Sequence, residues 1–229
     1  MIGGDWAHPL TVVDDHSRYA VCLQACANQR TATVRGCLRE TFRRYGLPDA
    51  FFVDNGSPWG GGVPGQWTPL GVWLLKLGVD VIHSRPYHPQ SRGKSERFHR
   101  TLKAELLNLR RFAGLERMQR AFDQWRVVYN TERPHQALGQ QVPASRYRVS
   151  ARPMPETLPT VEYETEDIVR KVSPRAVISY RNRLWKMPKA FRGEYVALRP
   201  RGPDGRYGVF FGARQVAIID LNKPDDHKR

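Results

Sequence analysis

The sequence predicts an α/β core followed by a small β-barrel, and three observations carry that expectation. Short β-branched or apolar runs alternate with helix-spaced apolar stripes through the first two thirds of the chain. Composition then shifts at a proline-rich stretch, Arg152-Pro-Met-Pro155 with Leu158-Pro159, which reads as a stiff linker. Beyond it lie short β segments separated by turn signals, the pattern of a small barrel.

Taken in order, Leu10-Thr-Val-Val13 reads as a strand. The turn-forming cluster Asp14-Asp-His-Ser-Arg18 closes it, and Tyr19-Ala-Val-Cys-Leu23 completes a hairpin. From Thr31, Val34, Leu38, Phe42 and Tyr45 recur at helical spacing until Gly46-Leu-Pro48. Ala50-Phe-Phe-Val53 reads as a fully buried strand running into Asp54-Asn-Gly56. The Gly-, Pro- and Trp-rich stretch from Ser57 to Thr68 is expected to be a loop. A helix follows from Pro69 to Leu77, then a strand at Val79-Asp-Val-Ile82. After the proline turn Arg85-Pro-Tyr-His-Pro89, a long helix begins near Gly93 with the stripe Phe98, Leu102, Leu106 and Leu109. Another helix covers Leu115 to Tyr129. In the tail, strands are expected at 176–180, 194–198, 207–211 and 216–219. The resulting division is a core at 1–150, a linker at 151–159, a small SH3-like barrel at 160–222 and a polar tail at 223–229.

Charge narrows the partner. The 229 residues carry 37 Lys and Arg against 22 Asp and Glu, a net +15, so a polyanion is favoured, nucleic acid before an anionic membrane surface. Between Arg85 and Arg120, ten basic residues (Arg85, Arg92, Lys94, Arg97, Arg100, Lys103, Arg110, Arg111, Arg117 and Arg120) face only Glu96, Glu105 and Glu116. Such a field is what counterion release from a phosphate backbone rewards. Apolar runs such as Gly71-Val-Trp-Leu-Leu75 are far shorter than the ~18 residues of a membrane span, and the N-terminus has no secretory pattern. Three cysteines with no CxxC pair suit reduced thiols, so a cytoplasm is expected. Cys22 and Cys26 are read as buried thiols rather than metal ligands. No Walker-type loop occurs, so no nucleotide cofactor is expected.

Two carboxylates stand out. Asp54 closes an apolar strand, where α/β folds place working groups, although Asp-Asn-Gly is equally the signature of an Asx turn. Glu96 sits in the first turn of the long helix, with Arg100 and Lys103 at i+4 and i+7 and with Lys94 and Arg97 flanking it. That places an oxygen ligand beside a surface suited to a phosphodiester, with Arg92, Lys94, Arg97, Arg100 and Lys103 as the DNA-binding residues. His99, three residues on, is a neighbour on the same helix.

The motifs Val53-Asp-Asn-Gly-Ser57 and His88-Pro-Gln-Ser-Arg-Gly-Lys-Ser-Glu-Arg-Phe-His99 resemble the integrase core of bacterial insertion-sequence DDE transposases, relatives of retroviral integrases. Leu10-Thr-Val-Val-Asp-Asp-His-Ser-Arg-Tyr19 and Tyr129-Asn-x-x-Arg-Pro-His-Gln-Ala-Leu138 are similar to the same group, so the resemblance runs from about Pro9 to Leu138. It implies an RNase H-like fold and three carboxylates holding two Mg2+ or Mn2+ ions, with Asp54 matching the second carboxylate and Glu96 the third. Hard divalent ions take carboxylate oxygens, and a pair roughly 3.5–4 Å apart clamps the attacking and leaving oxygens of an in-line displacement. The implied partners are transposon-end and target DNA and further copies of the chain.

One departure matters. The family's first Asp lies on a strand ahead of the hairpin, where this sequence has only Met1-Ile-Gly-Gly-Asp5. The expectation is therefore an N-terminally truncated, poorly active transposase lacking its first core strand, with Asp5 a possible substitute. The alternatives are a non-catalytic DNA-binding remnant and an RNase H-like nuclease.

Overall fold

The computed structural model describes residues 7–60, 66–83, 93–202 and 205–223. In chain order its elements are β1 (His8–Val13), β2 (Ala20–Cys26), α1 (Thr31–Tyr45), β3 (Ala50–Val53), α2 (Pro69–Lys76), β4 (Asp80–His83), α3 (Gly93–Leu102), α4 (Leu115–Thr131), α5 (Pro143–Arg146), β5 (Ile168–Lys171), β6 (Val177–Tyr180), β7 (Arg183–Lys186), β8 (Tyr195–Pro200), β9 (Arg206–Phe211) and β10 (Arg214–Asp220). They fall into two compact units, Met1–Pro48 with Ser84–Met154, and Asp49–His83 with Pro155–Arg229.

In the first unit β1 and β2 pair antiparallel, from His8 opposite Cys26 to Val13 opposite Ala20, with a bulge at Val12/Val13. The turn between them is tied by Asp14, whose Oδ2 accepts from the Ser17 amide at 2.7 Å and the Ser17 hydroxyl at 2.6 Å. α1 buries Val34, Leu38, Phe42 and Tyr45 on one face, the stripe that its spacing predicts. It stops at Gly46, whose φ of +75° and close approach to Ser150 admit no side chain: an added Cβ would lie 2.7 Å from the Ser150 carbonyl oxygen. α3 does not continue as one α-helix. A π turn, Lys103–Leu107, follows it, in which the Asn108 amide donates to the Lys103 carbonyl at 2.9 Å. Each π turn takes up an extra residue, so the buried stripe ends at Leu106 and Leu109, expected to extend it, is 70% exposed. The core of this unit joins Leu23, Phe98, Leu102, Leu106, Met118, Phe122 and Tyr129.

In the second unit β3 and β4 pair in parallel, Ala50 opposite Asp80 through Val53 opposite His83, with α2 between them in sequence. α2 is started by Thr68, whose hydroxyl accepts from the Gly71 amide at 3.1 Å, and by Pro69 in its first turn. β3 is not fully buried as expected. Phe51 and Val53 point inward while Phe52 is half exposed, because successive side chains alternate between the two faces of the strand and only one of those faces is covered. Val72 of α2 joins Val172, Ile178, Phe191, Val196, Leu198, Val209 and Phe211 in one core. The tail forms an antiparallel sheet of order β10-β9-β8-β5 and a separate hairpin, β6-β7. Among the described residues no ladder closes this sheet, so the expected barrel stands here as an open sheet with a hairpin. β5 is anchored at its start by Asp167, which accepts two bonds from the Arg199 guanidinium of β8, both at 2.6 Å.

Among the described residues no helix is long and apolar enough to cross a membrane. The Met1–Asp5 stretch, to which the expectation about the first core strand refers, lies outside the described residues, as do 84–92 and 224–229 of the expected proline turn and polar tail.

Asn130 ties α4 to the hairpin. Its side chain accepts from the Ala20 amide at 2.8 Å and donates to the Ala20 carbonyl at 3.2 Å, in a buried setting. Asn130→Ala strands both backbone groups, and we expect a loss of about 1–3 kcal/mol, read as a lower urea midpoint with an unchanged m-value.

Candidate functional site

Glu96 lies in the first turn of α3, exposed and, among the described residues, in no salt bridge or hydrogen bond. It lines a cleft of about 520 Å3 together with His99, Arg100, Lys103, Ala104 and Asn108. The helical repeat accounts for this: 96, 99 and 100 share one face of α3, which Lys103 continues at the start of the π turn, while Phe98 and Leu102 turn the other way into the core. Of the remaining predicted DNA contacts, Arg97 is exposed outside this lining, and Arg92 lies outside the described residues. Lys94 is engaged: its ammonium donates to both carboxylate oxygens of Asp15 at 2.6 Å. The sequence offered no signal for that pair, since 79 residues separate its members.

His99 is held rather than free. Its Nε2 and the Thr11 hydroxyl of β1 lie 2.7 Å apart. Burial, with the Lys103 ammonium adding to it, lowers the imidazole pKa below its ordinary value. Thr11 was not anticipated, and only the strand's alternation could have pointed to it.

The helix bearing this face is fixed from behind. Phe98 packs edge-on against Trp125 and Tyr129 of α4, with ring centroids 5.5 and 5.0 Å apart. The Trp125 indole donates to Glu105 of the π turn at 2.9 Å, and Arg133 donates to the other oxygen of Glu105. His135 sits edge-on to Tyr129 at 4.9 Å, and burial pushes the Tyr129 phenol up to about 12. Tyr129, Asn130, Arg133 and His135 thus each tie the end of α4 to its surroundings: Tyr129 to Phe98 and His135, Asn130 to the backbone of Ala20, and Arg133 to Glu105.

Asp54 belongs to the other unit. It follows β3, is exposed, and its Oδ1 accepts from the Gly56 amide at 3.0 Å, an Asx turn. Glu96 and Asp54 therefore occur in different compact units, each with an outward-facing carboxylate. Among the described residues no three His, Cys, Asp or Glu side chains gather into a metal site. The two carboxylates nevertheless suit a hard cation, because neither is consumed by an ammonium or guanidinium among the described residues.

The other candidates are structural. Cys22 and Cys26 are buried thiols whose pKa values burial raises to about 11 and about 12, with the Cys26 and Cys37 sulfurs 3.8 Å apart. Trp59 stacks near Phe51, Trp67 packs on Phe191, and Trp73 is buried. Asp5, His88 and Arg85 lie outside the described residues.

Residues 1–89 and 77–143 each match an integrase core domain, and 167–227 match the C-terminal domain of IS481 family transposases. The insertion element IS476 uncharacterized 39.2 kDa protein of Xanthomonas euvesicatoria is 30% identical over 137 residues, covering 59% of this chain and 37% of that protein. The insertion element IS407 uncharacterized 31.7 kDa protein of Burkholderia multivorans is 29% identical over 145 residues, covering 62% and 50%. The chain thus spans half the length of these relatives or less. Among solved structures, the catalytic core domain of BIV integrase aligns with a TM-score of 0.48 at 22% identity, covering 62% of this chain and 88% of that one. A chain of the simian T-cell lymphotropic virus intasome in complex with PP2A regulatory subunit B56 gamma aligns with a TM-score of 0.50 at 16% identity, covering 97% and 75%. With the integrase core domain matches, the second of these likenesses gives the fold its class: a mixed helix and sheet fold of the RNase H-like integrase type.

The lowered pKa of His99 has a consequence for stability. Below about 6.5 the unfolded chain binds the proton more readily than the folded one, so stability falls as the pH drops through that value. We expect thermal melts from pH 7 to pH 5 to fall more steeply for the native chain than for His99→Asn, which keeps a polar group for Thr11 without the titration. Parallel curves would show that His99 does not contribute.

Proposed function

We propose that this chain, which matches integrase core and IS481-type C-terminal domains, is an insertion-sequence transposase that cuts and joins DNA by phosphodiester hydrolysis and strand transfer. The observation that carries the reading is Glu96: an exposed carboxylate with no ion-pair partner among the described residues, on a face that also presents His99, Arg100 and Lys103. That carboxylate is well placed for a cation-assisted reaction at a phosphate.

In this reading Asp54 and Glu96 are the catalytic carboxylates and would hold Mg2+ or Mn2+, which supply charge stabilisation at the attacking and leaving oxygens. Arg97, Arg100 and Lys103, with Arg92 and Lys94, neutralise the phosphates flanking the scissile bond and orient the strand. Lys94 gives up its bond to Asp15 to do so. Water attacks the phosphorus and releases a 3'-hydroxyl, and that hydroxyl then attacks a target phosphodiester; each step forms one P–O bond and breaks one, so no nucleotide cofactor is required. His99, held by Thr11 and kept neutral by burial, adds no positive charge beside Glu96 at neutral pH. The C-terminal sheet and hairpin, read as a small SH3-like barrel, provide a further DNA surface. Joining two ends to one target calls for more than one copy of the chain.

The test uses the full chain with a transposon-end duplex and Mn2+. Asp54→Asn and Glu96→Gln should each reduce nicking and strand transfer to background and lower Mn2+ uptake followed by electron paramagnetic resonance, while salt-dependent duplex binding persists. Undiminished Mn2+ uptake and activity in both variants would remove these carboxylates from the chemistry. Cleavage without joining would favour a nuclease.

A further inference from the structure

Four arginines outside the α3 cleft share a second cleft of about 730 Å3. Arg110 and Arg111 line it from the segment that follows the π turn, and Arg117 and Arg120 line it from the first two turns of α4. All four are exposed, and no carboxylate is in the lining. Among the described residues Arg110, Arg111 and Arg117 have no acidic partner. Arg120 has only Glu116, at 3.9 Å in an i, i+4 pair that is largely open to solvent and therefore weak. Holding four guanidinium groups around one cleft is unfavourable until an anion enters. The surface beneath is fixed, because Phe112 packs onto the core that contains Leu106, Met118, Ala121 and Phe122.

We propose that this cleft docks the sugar–phosphate backbone of duplex DNA, at a place separate from the α3 face. The two clefts share no lining residue. Arginine is the suitable residue, since its planar fork meets two phosphate oxygens at once and stays charged at any working pH. An acidic peptide fits less well: the only apolar lining is Phe112, Ala113 and Ala121, which gives no pockets to select side chains. Because the site needs neither Asp54 nor Glu96, it stands or falls independently of the proposed chemistry.

The test measures duplex binding by fluorescence anisotropy across a salt series, using the full chain. The variant with all four arginines changed to alanine should lose affinity, and its slope of log K against log salt should fall by ~3–4, at roughly 0.9 per phosphate released. The pair variants Arg110→Ala with Arg111→Ala, and Arg117→Ala with Arg120→Ala, should each remove about half of that change, and they guard against a folding failure of the fourfold variant. Replacing all four by lysine should restore most of the slope. The same losses should appear in a Glu96→Gln background, which separates this site from catalysis. An unchanged slope in pair variants that melt like the native chain would overturn the proposal. So would competition by poly-glutamate as strong as that by duplex of equal charge, which would assign the cleft to an acidic protein surface.

Discussion

The edge-on packing of Phe98 against the stacked rings of Trp125 and Tyr129 sets which face of α3 turns outward. Phe98 is 2% exposed and two residues beyond Glu96, so its burial fixes the rotation of the helix that carries the carboxylate. Edge-to-face aromatic contacts have preferred geometry, unlike simple apolar burial, and so restrict that rotation more tightly. The polar bonds around them act in the same sense: Trp125 is held by Glu105, Arg133 by the same carboxylate, and Asn130 by the backbone of Ala20. A substitution at Trp125 would therefore act on the Glu96 face without touching it.

The same network shapes the electrostatics of the first unit. Its carboxylates are largely taken up internally: Asp14 by the hairpin turn, Asp15 by Lys94, Glu105 by Trp125 and Arg133, and Asp123 by Gln119. What remains facing water on α3 and at the start of α4 is basic, apart from Glu96 and Glu116. A net charge of +15 is thus not spread evenly but concentrated by internal pairing on particular surfaces. Strong fields of this kind speed the approach of polyanions, and their effect declines with salt.

Most of the secondary structure was legible because it rests on local periodicity. The hairpin, α1, α2 and α4 follow apolar spacing and are stopped by glycine or proline, as at Gly46. The departures have physical causes. Leu109 left the stripe because the π turn changed the helical phase, which no apolar spacing encodes. β7 went unrecognised because its turn uses Arg181 and Asn182, both at positive φ, in place of the Asn-Gly that signals such a turn. β5, Ile168-Val-Arg-Lys171, has too few apolar residues to declare itself and is secured by the distant pair of Asp167 and Arg199. In the candidate site, the i, i+3, i+4 and i+7 neighbours of Glu96 were readable from spacing. Thr11 beside His99 and Asp15 on Lys94 were not, since contacts across 88 and 79 residues leave no trace in spacing.

Asp54 shows why a turn residue and a cation ligand need not be rival descriptions. An ionised carboxylate offers about four lone-pair sites on two oxygens, and the Asx turn spends one of them on the Gly56 amide. That bond fixes the side-chain torsions and so removes conformational entropy that ion binding would otherwise have to overcome. Oδ2 stays outside the turn bond while its carbon framework is held. Glu96 is restricted differently, through the helix beneath it, which Phe98 fixes on Trp125 and Tyr129. In the proposed reading, a short carboxylate locked by a turn and a long one on a braced helix are two ways of limiting the entropy that holding a cation costs.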